Sequence, residues 1–142
     1  MRKFVPEELL IVGVIILLLM SGGSLPFVDP PPFPAEKLCV LVVEETSDRE
    51  AYTAGQREAM IAVDGPGSIR GYVKSKQGEY LLWDKDQQPT EHSPKWAAEA
   101  LKAAQPNQLP WIVAATPRSG LTKQLPKEAA ETITALKKIG GE

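Results

Sequence analysis

Few residues in this chain are suited to chemistry, and most of them are acids. Glu44, Glu45, Asp48, Asp84 and Asp86 fall at or just past the ends of two short apolar runs, and the single histidine, His92, closes the polar stretch that follows the second run. Hard cations take several oxygen ligands, so these groups could form a carboxylate-rich cation site with His92 added. Their spacing matches no metal motif, and acidic loops are ordinarily solvated, so the expectation is a solvated rim. Cys39 is the only cysteine, which excludes an internal disulfide, a CxxC redox pair and a cysteine-based zinc site within one chain. Its place near the start of an aliphatic run suits a small core residue. His92 adjoins Ser93, but no nucleophile elbow accompanies them, so nothing local supports hydrolysis. Gly65-Pro66-Gly67 lacks the glycine spacing and the lysine of a phosphate loop and reads as a helix break. No catalytic residue, metal ligand or cofactor site is assigned.

Composition narrows the classes further. The chain has 142 residues, a formal net charge of -2 and a pI near 5.5. That balance carries no electrostatic footprint for DNA or RNA, so no nucleic-acid partner is expected. The length allows one domain with an ordinary core.

The first quarter of the chain reads as a tether. Leu9 to Met20 is uninterrupted apolar sequence apart from Gly13, preceded by Arg2 and Lys3, and no charge occurs from Leu9 to Val28. A helix from Pro6 to about Ser21 would be about 24 Å long, short for a bilayer core of about 30 Å. On its charge-free apolar run, residues 1–22 are nonetheless expected to be a transmembrane anchor, the alternatives being a cleaved signal segment or a buried helix. Arg2 and Lys3 favour a cytoplasmic start, which puts the rest of the chain on the extracytoplasmic, periplasmic side. Five of the 13 prolines lie between Pro26 and Pro34, so residues 23–36 are expected to form an extended proline-rich linker.

Residues 37–142 must supply the elements that position any site. Leu38 to Val43 and Leu109 to Ala115 are apolar throughout and predict central strands buried on both faces. Tyr80 to Trp83 and the more polar Leu121 to Leu125 predict edge strands. Thr53 followed by Gln56 forms a capping-box pattern opening a helix to Ile61 or Val63, and Ser68 can cap a second short helix. Ser93-Pro94 predicts a capped helix through Ala104, and Pro126 to Gly140 carries acids early and lysines late, as a helix prefers. The order is β-α-β-α-β-β-α, in an α/β class.

This order, with Val40 to Glu45, Tyr80 to Asp84, Pro94-Lys95-Trp96 and Leu109-Pro110-Trp111-Ile112-Val113, resembles thioredoxin-like domains. It is similar in particular to uncharacterised membrane-anchored bacterial or phage proteins of that fold. The resemblance covers about Leu38 to Gly140. It implies a β-α-β-α-β-β-α sandwich in which a CxxC pair would follow the first strand, against a proline preceding the third. Pro110 matches that proline, while Thr46-Ser47-Asp48-Arg49 stands where the cysteines would be. Disulfide exchange needs an attacking and usually a resolving thiol, and that position has neither. The resemblance then implies a redox-inactive domain, not an enzyme, with a groove for a peptide or protein partner at Thr46, Ser47, Asp48, Arg49, Leu109, Pro110 and Trp111. Trp83, Trp96 and Trp111 are expected to pack near one another. Alternatives of other classes are a thiol-disulfide partner using Cys39 between chains, a structural envelope or phage membrane component, and a cation-binding module.

Overall fold

The computed structural model describes residues 29–142. The anchor or signal segment and the first part of the linker lie outside the described residues, and no described helix is long and apolar enough to cross a membrane. The described residues form a mixed α/β fold around one four-stranded sheet. Its elements are β1 (Cys39–Glu44), a 3₁₀ helix (Thr46–Ala51), α1 (Ala54–Ile61), α2 (Ile69–Ser75), β2 (Glu79–Asp84), α3 (Lys95–Ala103), β3 (Trp111–Ala115), β4 (Gly120–Gln124) and α4 (Ala129–Ile139).

The strand order is β2-β1-β3-β4, with β1 and β2 parallel and the other two pairs antiparallel. Alternation along β1 explains why Cys39 to Val43 are all apolar. Leu38, Val40 and Val42 enter one core layer with residues of α1, α2 and α4, whereas Cys39, Leu41 and Val43 enter the other with α3. β3 is buried at every position, but β4 is buried only at Gly120, because its outer edge is open.

Local signals fix most helix starts. Thr53 Oγ1 accepts from the Gln56 N–H and Gln56 Oε1 from the Thr53 N–H, a complete capping box worth about 1 kcal/mol. Ser68 Oγ accepts from the Gly71 N–H at 3.1 Å. The Ser93 expectation needs correction. Its hydroxyl accepts from the Thr90 N–H within the preceding turn, and α3 begins after Pro94 with no side-chain cap. α4 likewise begins three residues beyond Pro126, with Glu128 at its cap position.

The described part of the proline-rich stretch is packed against the domain and is not a free linker. Phe33 is buried in the α3 layer and stacks on Trp96 with ring centroids 5.6 Å apart. Asp29 accepts from the Gly120 N–H at 2.9 Å. Gly120 is required there, since a Cβ would stand 2.6 Å from the Ala114 carbonyl oxygen and press on Pro31 and Pro32.

Candidate functional site

β1 and β2 finish, and β3 begins, at one end of the sheet. Val43 pairs with Trp111, so Glu44 and Pro110 are the next residues out on adjacent strands. Leu109 to Trp111 and the 3₁₀ helix therefore share this end.

The 3₁₀ helix is tied down on both sides. Asp84 Oδ2 accepts from Thr46 N–H at 3.0 Å and from Thr46 Oγ1 at 2.7 Å, and Asp84 Oδ1 accepts from the Asp86 N–H at 2.9 Å. These donors favour the ionised form and lower the Asp84 carboxyl from 3.8 to about 2. Arg57 Nη1 donates to the carbonyls of Arg49, Glu50 and Tyr52, closing the other side. Tyr52 Oη accepts from the Glu45 N–H at 2.9 Å, and burial raises its phenol.

Arg49 and Trp111 do not form one wall. Arg49 reaches Glu44, which follows Val42 in alternation onto the face of α1, α2 and α4, while Trp111 packs in the α3 layer. The Trp111 indole N–H donates to Thr122 Oγ1 at 2.8 Å, and that hydroxyl donates to the Ala103 carbonyl at 3.0 Å. Trp83 and Trp96 share the layer, with indole N–H groups donating to the Gln87 carbonyl and to Glu79 Oε2. All three tryptophans have structural hydrogen-bond partners.

Three of the expected acids converge, and the other two do not join them. Carboxylate oxygens of Glu45, Asp84 and Asp86 lie within 4.8 Å of one another. Glu44 is buried against Arg49, correcting its place on a solvated rim, and Asp48 is exposed on the 3₁₀ helix. His92 lies in solvent with Nε2 3.5 Å from Glu91. Lys85 Nζ sits 3.1 Å from Glu45 and 3.6 Å from Asp86, so the chain's own ammonium offsets part of the group's charge. Its hydrogen bond is the main cause holding the Glu45 carboxyl below the usual range.

Pro110 is buried behind a cis Leu109–Pro110 peptide bond, and its carbonyl accepts from the Leu125 N–H at 2.8 Å. Among the described residues, neither the N–H nor the carbonyl of Leu109 has a partner. Two unpaired backbone groups therefore stand beside the proline, on a half-buried residue, a feature that propensity and spacing leave invisible.

Cys39 stands at the far end of β1, opposite Glu79 and Ala115. It is buried, and desolvation, reinforced by Glu79 and offset by Lys37, pushes the thiol up to about 11. The hollow it lines, about 710 Å³, also contains Trp96, Glu79 and Lys37 and lies away from Pro110.

No protein family, curated protein or solved structure matches this chain.

Proposed function

We propose that this chain is a membrane-tethered, thioredoxin-like domain without thiol chemistry that binds a partner polypeptide in extended conformation. The order β2-β1-β3-β4, the parallel β1–β2 pair and Pro110 at the mouth of a central strand support the thioredoxin-like reading. The tether and the extracytoplasmic placement rest on the charge-free sequence from Leu9 to Val28 and the basic residues before it.

The observation that carries the binding role is the pair of unpartnered backbone groups at Leu109. An extended peptide pairs with such groups by strand addition, with main-chain hydrogen bonds supplying affinity. The acids Asp48, Asp84 and Asp86 at the same end favour a partner with cationic side chains. Thiol exchange through Cys39 has less support, because the sulfur is buried and poorly ionised.

The test is a titration of isotope-labelled full-length protein in nanodiscs with extended peptides bearing lysine or arginine. Amide shifts at Leu109 and Trp111 are expected. Peptides that leave both amides unmoved at saturating concentration would sink the reading.

A further inference from the structure

The two ends of the sheet differ in charge. Where β1 and β2 finish, Glu45, Asp48, Glu50, Asp84 and Asp86 face Arg49, Arg57 and Lys85. The other end collects the starts of β1, β2 and β4 and the finish of β3. It also holds the finish of α2, where the Gly78 N–H donates to Val73, and of α4, where Ser119 Oγ donates to the Ile139 carbonyl.

Lys74, Lys76, Arg118, Lys137 and Lys138 are exposed at this second end. Of its acids, Glu142 pairs with Lys76, and Glu79 with Lys37. Lys74, Arg118, Lys137 and Lys138 have no acidic partner among the described residues; the further acids near this end are Asp29, Glu36 and Glu99, the last paired with Lys102. Arg118 and Lys138 line one open hollow of about 420 Å³, and Lys138 borders a second one beside Asp29.

The polypeptide also arrives here. Asp29 is hydrogen-bonded to Gly120 at the start of β4, and eight residues separate it from Met20, where the apolar run stops. Extended chain covers at most about 3.3–3.6 Å per residue, so this end stands within about 30 Å of the end of that run. Basic surfaces are attracted to anionic headgroups at close range, with a screening length of about 8–10 Å at moderate salt.

We infer that this end is a docking surface for an anionic lipid bilayer, with the Arg118 turn and the last turn of α4 against the headgroups. The inference rests on the tethered reading above and adds an orientation to it. β1 spans six residues, so docking holds the Leu109 backbone groups about 20 Å farther from the bilayer, facing away from it.

The experiment places full-length protein in nanodiscs of phosphatidylcholine alone, or mixed equally with phosphatidylglycerol, each with a paramagnetic headgroup lipid. In the anionic discs, relaxation of the Arg118 and Gly141 amides should be enhanced several-fold over that of Thr46 and Asp86. The contrast should vanish in pure phosphatidylcholine, at high salt and in an Arg118→Glu, Lys138→Glu double variant, and persist in Arg118→Lys. Equal enhancement at both ends, or a contrast indifferent to lipid charge, overturns the docking while leaving the tether. Loss of the protein from both kinds of disc overturns both, and retention on anionic discs alone overturns the tether and supports the docking.

Discussion

The Glu44 carboxylate receives both Nε and Nη2 of Arg49, tying the last residue of β1 to the 3₁₀ helix five residues on. The Glu44 side chain is 2% exposed and that of Arg49 36%, so the acid depends on this one guanidinium while the guanidinium still touches water. The hydrogen bond to Glu44 raises the Arg49 pKa above its ordinary value.

Arg49→Leu should therefore destabilise the protein by about 2–3 kcal/mol, less than the ~3–5 kcal/mol of a fully buried pair because Arg49 is partly exposed. Adding Glu44→Leu should recover most of the loss, since the unpaired charge is then gone. Urea denaturation of both variants checks this, and a double variant weaker than the single one would contradict it.

Asp84 gives a pH-dependent test. Its carboxyl is depressed from 3.8 to about 2 in the folded state, chiefly by Thr46, so the unfolded chain takes up the proton first as pH falls. Its contribution is complete above about pH 4 and is lost as pH falls toward 2. Asp84→Asn should be less stable than the parent at pH 6, with the gap closing between pH 4 and pH 2. A gap unchanged across that window would show that Thr46 is not held by the charge.

Cys39 should react slowly with a maleimide at pH 8 in the folded full-length protein and at an ordinary rate in denaturant, because burial pushes its thiol up to about 11. Raising the folded pKa makes the linked stability complete below about 9 and lost between 9 and 11. Rapid labelling of folded protein would reopen thiol exchange between chains.

Phe33→Ala should cost about 3 kcal/mol, the lower end of the range for a buried aromatic, because Phe33 fills the α3 layer against Trp96. Gly120→Ala should release the same segment, since the new methyl group would collide with Pro31 and Pro32. Hydrogen exchange at Gly120, whose amide donates to Asp29, reads both variants. Unaltered protection would show that the segment rests on the surface without being held.

The features legible in the sequence were those set by neighbours in the chain. The apolar runs of β1 and β3, the Thr53–Gln56 box and the Ser68 cap needed only periodicity and spacing. What escaped depends on distant partners. Ser93 resembled a cap, but Thr90 competed for its hydroxyl. Glu44 resembled a solvated strand end, yet β1 runs one residue further and Arg49 folds back to meet it; an acid and an arginine flanking a short turn was the available clue. Phe33 lay in a proline-rich stretch whose composition says nothing about the Trp96 ring that receives it. Of the candidate site, the common end for Thr46 and Pro110 followed from strand pairing, but the division of Arg49 and Trp111 between two faces needed the alternation of each strand.

The Asp29–Gly120 hydrogen bond and the Phe33 plug lie between the N-terminal part of the chain and the sheet. Tension on that part would be met in shear at the lip of β4 and by extraction of one aromatic ring from beneath α3. The strain would then enter at one corner, leaving the opposite margin, where Leu109 lies, mechanically quiet while the domain is tugged.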